Sequence, residues 1–95
     1  MLALSRDELN IGTEDDLFRI RRHVGKAARA QAFDLFATAA ITTATAELAR
    51  HVLLHARPGT ATVEVISDGD RNGLRVTLRG QTGPCLLYTS DAADE

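Results

Sequence analysis

Residues 41–51 read Ile41-Thr-Thr-Ala-Thr-Ala-Glu47-Leu-Ala-Arg50-His51, and they lie in a segment whose apolar side chains recur every three or four positions. That spacing predicts a helix with one apolar stripe. The stripe consists of Ala37, Ile41, Ala44, Leu48 and Val52. Glu47 and His51 are four positions apart, so a helix places the carboxylate and the imidazole on the same face.

The residues before and after this stretch predict where two helices begin and end. Thr13 is a good N-cap and is followed by three acidic residues, which favour a first helix over about Glu14 to Gln31. Asp34 is a plausible cap for the second helix, and Arg57-Pro58-Gly59 ends it. Ahead of both helices, Glu8-Leu-Asn-Ile11 alternates polar and apolar residues, as a short, half-buried strand does.

Two further strands are predicted after the helices. Thr60 to Ile66 places Ala61, Val63 and Val65 on one face, and residues 74–79 alternate apolar and polar side chains. A polar, glycine-containing turn separates them, which indicates a hairpin. The resulting order β-α-α-β-β predicts an α+β fold, a two-layer sandwich with the helices on one face of a mixed or antiparallel sheet.

Length and charge limit the classes of function. A chain of 95 residues forms one small domain. The formal net charge is −2, and without Asp91, Asp94 and Glu95 it becomes +1, which argues against a strong electrostatic nucleic-acid binder. Cys85 is the only cysteine, and no signal peptide or membrane-length apolar run is present, so we expect a cytoplasmic protein that does not bind membranes.

The C-terminal residues 85–95, CLLYTSDAADE, resemble the frame translation of a common sequencing-library adapter. This resemblance implies a domain over residues 1–84 and a non-native, adapter-derived tail over residues 85–95. The chain is then expected to be the N-terminal fragment of a longer protein.

The quoted helix and the strands after it resemble the GHKL (Bergerat-fold, HATPase) ATPases, and among them the RsbT-like anti-sigma regulatory serine/threonine kinases. Ile41-Thr-Thr-Ala44 and Ala46-Glu-Leu-Ala-Arg50 match the signature of the second helix, with His51 in place of an asparagine. Gln81-Thr-Gly83-Pro84 stands where the family has Asp-x-Gly-Pro-Gly, with Gln81 in place of the aspartate. The resemblance covers about residues 8–84 and implies a truncated Bergerat fold.

By this resemblance the intact protein would bind ATP and Mg²⁺. Glu47 would be the catalytic base, because a carboxylate can accept the proton of an attacking hydroxyl. Arg50, Gln81 and Gly83 would contact the nucleotide. His51 would lie at the metal, although imidazole is a poorer ligand for Mg²⁺ than an amide oxygen.

The implied reaction is phosphorylation of a serine or threonine on an antagonist protein with a STAS-type fold. The expected partner is this antagonist or a phosphatase regulator. The resemblance implies a partner-switching cascade that controls sigma factors or a phosphatase, as in a stress response. The 95-residue chain itself is expected to be inactive, because the glycine-rich lid of the family is not in its sequence.

Other interpretations of the same residues stay open. The changes at His51 and Gln81 also suit a degenerate, non-catalytic GHKL domain that acts only through protein–protein binding, or errors in the sequence. Glu47 and His51 could simply form a surface ion pair, and Arg50 could pack against neighbouring loops. A zinc site at His51 and His55 lacks a third ligand.

Overall fold

The computed structural model describes residues 2–81 and, for the backbone alone, residues 83–89. Six elements follow one another along the chain. They are β1 (Leu2–Ile11), α1 (Glu14–Ala30), α2 (Leu35–His55), β2 (Gly59–Asp68), β3 (Arg71–Gly80) and β4 (Gly83–Thr89). Within the described residues, neither helix combines the length and the apolar character that crossing a bilayer requires.

The strands form one antiparallel sheet in the order β1-β2-β3-β4, and both helices pack against one of its faces. The predicted α+β sandwich, with the order β-α-α-β-β, is therefore confirmed. The fourth strand was not predicted: it pairs with β3 from Gly80 opposite Gly83 to Leu74 opposite Thr89. This strand crosses the boundary predicted at residue 84, and residues 90–95 of the predicted tail lie outside the described residues.

The core lies between the sheet and the helices. Directly paired residues of β2 and β3, such as Val63 opposite Val76 and Ala61 opposite Leu78, point to the same side and are buried. They pack with buried side chains of both helices. The buried helical residues in this cluster are Leu17, Ile20, Val24, Ala28, Ile41, Ala49, Val52 and Leu53.

In α2 the fully buried face includes Ala49 and Leu53, which lie outside the predicted stripe. Ala44 and Leu48 of that stripe, by contrast, are only half-buried.

The first strand is longer than the four residues predicted for it. β1 pairs with β2 from Ile11 opposite Gly59 to Leu2 opposite Ser67, with a bulge between Ala3 and Ser5. Most of its side chains are exposed, because β1 lies at the edge of the sheet beyond most of the helical cover. This explains why the residues before Glu8 show no apolar alternation.

Helix α1 begins with a capping box. The Thr13 hydroxyl accepts a hydrogen bond from the Asp16 N–H at 3.4 Å, and Asp16 Oδ2 accepts from the N–H groups of Gly12 at 2.8 Å and Thr13 at 3.0 Å. Arg19 donates to the other carboxylate oxygen of Asp16. These donors favour the charged carboxylate, and the bond from Gly12 has the largest effect in holding the pKa of Asp16 below its ordinary value of 3.8.

The same helix ends in a left-handed turn at an alanine. Ala32 has φ +65°, its N–H donates to the Arg29 carbonyl at 3.0 Å, and the Phe33 N–H donates to the Ala28 carbonyl at 3.0 Å. This pair of bonds is a Schellman motif, which most often has glycine at the left-handed position. Phe33, the next residue, is buried, so the direction in which the chain enters α2 is fixed. Asp34 is the N-cap of α2, as predicted, and its side chain accepts a hydrogen bond from the Ala37 N–H at 2.7 Å.

We expect Ala32→Gly to stabilise the protein by about 0.5–1 kcal/mol. The substitution removes the strain of a Cβ at positive φ, and the larger unfolded-state entropy of glycine offsets part of the gain. Urea denaturation measures the difference. Ala30→Gly is the matched control, since Ala30 is exposed and helical and the same change there should destabilise by about 0.5–1 kcal/mol. Equal destabilisation by both variants would contradict the left-handed conformation assigned to Ala32.

Asp16 should make stability depend on pH in the acid range. Because its pKa is lowered in the folded state, its stabilisation is present above the unfolded value of 3.8 and is lost as pH falls through the lower folded value. Urea midpoints of the wild type and Asp16→Asn should therefore differ by a constant amount above about pH 5 and converge below about pH 4. Asp15→Asn is the matched control, because Asp15 is exposed, has no hydrogen bond among the described residues and lies in the same helical turn, and it should differ from the wild type by less than Asp16→Asn does above about pH 5. A constant difference between wild type and Asp16→Asn down to pH 2 would show that the pKa of Asp16 is not lowered in the folded state.

Candidate functional site

Glu47 and Arg50 lie on the solvent-exposed face of α2, because the opposite face of this helix packs in the core. Thr45, Ala49 and Val52 are buried against the sheet and α1, whereas Glu47 and Arg50 are exposed. The two exposed side chains line a groove of about 280 Å³ between α1 and α2. The groove is formed by Glu14, Leu17, Phe18, Arg21, Thr43, Ala46, Glu47 and Arg50.

Arg50 is connected to α1 through an ion pair. Its Nη1 lies 3.4 Å from Oε2 of Glu14, and both side chains are more than half exposed. Such a solvent-exposed pair contributes about 0–1 kcal/mol, so it holds Arg50 only weakly and leaves the guanidinium able to turn to an anion. Both alternatives for Arg50, packing and anion binding, therefore remain compatible with its position.

Glu47 lies at the same groove without an ion pair or a hydrogen bond among the described residues. The carboxylate is thus accessible, as a proton acceptor has to be. Phe18 lines the same groove and is 69% exposed, so it adds an apolar surface next to the carboxylate. Sequence reasoning missed Phe18, Arg21 and Glu14 as groove residues. Only the pairing of the two helices brings them to Glu47.

His51 lies one turn beyond Glu47 and contacts His55. The two ring centroids are 4.8 Å apart and the rings are tilted by 47°. The ion pair between Glu47 and His51 considered above is not formed among the described residues. That part of the chain also lacks a group of three His, Cys, Asp or Glu side chains placed to hold one metal ion.

Gln81 lies at a different groove. This shallow groove, of about 300 Å³, is at the ends of β2 and β3 and is lined by Asn10, Pro58, Gly59, Thr60, Arg79, Gly80 and Gln81. The Gln81 N–H donates to the Ala56 carbonyl at 2.8 Å, and its side chain is exposed. Gly83 begins β4 opposite Gly80. The described residues therefore place Glu47 and Arg50 in one groove and Gln81 in another.

Two glycines let the end of α2 approach these strand ends closely. A Cβ on Gly59 would lie 2.5 Å from the Arg79 carbonyl oxygen and 2.5 Å from Cγ1 of Val52. A Cβ on Gly80 would lie 2.7 Å from Cβ of Ala56 and 2.8 Å from its carbonyl oxygen. Either side chain would overlap the backbone, so the absence of a Cβ at both positions fixes how close α2 lies to the sheet.

Comparison with protein-family models, with curated proteins and with solved structures found no match to this chain.

Proposed function

We propose that this chain carries the first part of an RsbT-like GHKL ATP-binding domain from a regulatory serine/threonine kinase. The complete protein would transfer phosphate from ATP to a serine or threonine of a STAS-type antagonist in a partner-switching cascade. The observation that carries the proposal is Glu47 on α2, which is exposed and has no ion pair or hydrogen bond among the described residues, within a helix signature that is followed by strands in the expected order. A domain of this kind needs a carboxylate that can meet a hydroxyl group.

Each candidate residue supports the proposal to a different degree. Glu47 would accept the proton of the attacking hydroxyl, and its exposure allows this. Arg50 would turn from Glu14 to a phosphate oxygen, because it gives up only a weak surface pair. Gln81, with Gly83 beside it in the chain, would offer an uncharged amide where adenine is expected.

The donor set does not fit a bound Mg²⁺. Mg²⁺ prefers oxygen ligands in octahedral geometry, and the residue in the expected metal position, His51, offers nitrogen and contacts a second imidazole. Among the described residues of α2, the groove is lined by two oxygen donors, the Glu47 carboxylate and the Thr43 hydroxyl, and neither takes the position that His51 occupies. We therefore assign no catalytic step to a metal at His51, and we expect the wild-type chain to bind Mg-ATP weakly.

A second candidate function is protein binding without catalysis. It is favoured by two large apolar side chains at the start of α2, Leu35 and Phe36, which are 87% and 83% exposed. Exposed apolar groups of this size mark interaction surfaces when they cluster. The separation of Gln81 from Glu47 also suits a domain that no longer holds a nucleotide.

Restoring the two altered positions distinguishes these functions. We expect His51→Asn combined with Gln81→Asp to bind Mg-ATP at least about tenfold more tightly than the wild type, since an oxygen ligand and a charged acceptor replace weaker groups; tenfold corresponds to about 1.4 kcal/mol. Backbone amide NMR shifts during titration with Mg-ATP measure the affinity. They should move at residues 47–51 and at Gly59, Gly80 and Gln81.

His55→Asn combined with Gln81→Asp is the matched control, because it makes the same histidine change one turn further along α2. It should bind less tightly than the restored variant. If the restored variant shows no Mg-ATP shifts at millimolar concentration, the nucleotide-binding proposal fails and protein binding becomes the better account.

A further inference from the structure

The imidazoles of His51 and His55 lie next to each other on the surface of α2. They lie on successive turns near the end of α2, and both residues are exposed. Their ring centroids are 4.8 Å apart. Among the described residues neither ring has a hydrogen bond or an ion pair, so all four ring nitrogens are available to a ligand there.

Two histidines at positions i and i+4 of a helix can bind one metal ion, because the spacing presents both rings on one face. Imidazole nitrogen selects zinc, nickel and copper ions and discriminates against magnesium and calcium. The rings are tilted by 47° to each other and both are exposed, so rotation of their side chains can bring one nitrogen of each to a shared ion. The remaining coordination positions would be filled by water, since no third ligating side chain joins the pair within the part of the chain that the structure describes.

The position on the helix adds a second favourable contribution. His55 is the last residue of α2, and the partial negative charge of a helix C-terminus attracts cations. Unlike a structural zinc site, this pair is open to solvent on one side of a formed helix. Binding would therefore be reversible and would not be required for folding.

We propose that His51 and His55 form a binding site for one divalent late transition-metal ion, such as Zn²⁺, Ni²⁺ or Cu²⁺. The site does not depend on nucleotide binding. The proposal gives a second explanation for a histidine at position 51, where Mg²⁺ would need an oxygen ligand. His51 then supplies one of two nitrogen ligands that suit a different class of metal ion.

The test is a titration of the untagged 95-residue chain with ZnCl₂ at pH 7.5, in a Cys85→Ser background so that no thiolate competes. Imidazole nitrogen resonances report which rings bind. We expect saturation at one ion per chain, with shifts at His51 and His55 and none at His23, whose ring lies on α1 3.1 Å from Asp7. Millimolar Mg²⁺ should leave all three rings unchanged.

Single variants test the pair directly. His51→Ala and His55→Ala should each weaken Zn²⁺ binding at least tenfold, while circular dichroism shows an intact helix. A matched control, His55→Ala combined with Arg57→His, keeps the number of histidines but moves one beyond the end of α2, and it should bind as weakly as His55→Ala alone.

Three results would overturn the proposal. One is the absence of Zn²⁺ binding at millimolar concentration. Another is binding that survives either single alanine substitution. The third is saturation at one ion for two chains, because a second copy would then supply part of the ligand set.

Discussion

The close contact between the end of α2 and the ends of β2 and β3 is the constraint on which the placement of every candidate residue depends. Gly59 and Gly80 leave no room for a Cβ between the strands and Val52 or Ala56. The hydrogen bond from the Gln81 N–H to the Ala56 carbonyl continues this contact beyond β3. Because the end of α2 is held at this contact, the rotation of α2 about its own axis is fixed too. This rotation determines which side chains of α2 face the solvent.

The packing of the rest of α2 has a cost in free energy. The hydroxyl groups of Thr38 and Thr45 are buried without a hydrogen bond among the described residues, and a buried unsatisfied group costs about 1–3 kcal/mol. Thr42 avoids this cost by donating to the Thr38 carbonyl at 2.8 Å. A threonine-rich helix is intrinsically weak, so tertiary packing has to supply the stability that propensity does not.

The outward face of α2 changes character along its length, and this underlies the two functional interpretations. Its start presents Leu35 and Phe36, which suit a protein partner, and its second half presents Glu47, Arg50 and the histidine pair. A kinase domain that docks a protein substrate would use both halves of the helix. A binding domain would need only the first half.

The sequence was sufficient to predict the helices and strands that bury a periodic apolar face. Both helices, their caps at Thr13 and Asp34, and the β2–β3 hairpin follow from local pattern alone. The first half of β1 could not be predicted because an edge strand with exposed side chains carries no alternation. The left-handed Ala32 was also missed, since alanine carries no signal for positive φ.

The candidate site residues were chosen by residue type and resemblance, and the way the structure groups them could not be predicted from the sequence. Glu47, Arg50 and Gln81 are assigned to one nucleotide site by resemblance, whereas two separate grooves contain them. Which groove a residue lines depends on how α1 and α2 pair and how closely α2 approaches the sheet. These distances depend on tertiary packing, and the spacing of residues along the sequence does not predict them.

The most direct test of this account is the unfolding free energy of Gly80→Ala, measured with urea, with amide NMR shifts as a readout of α2. We predict a loss of about 1–3 kcal/mol, with shifts concentrated at Val52, Ala56 and Gln81, because the added methyl group forces the helix from the strand ends. Gly12→Ala, where the nearest atom lies at an ordinary 3.7 Å, should change stability by about 0.5 kcal/mol or less. If Gly80→Ala were as stable as the wild type and left α2 unchanged, the close contact would not be what fixes the helix.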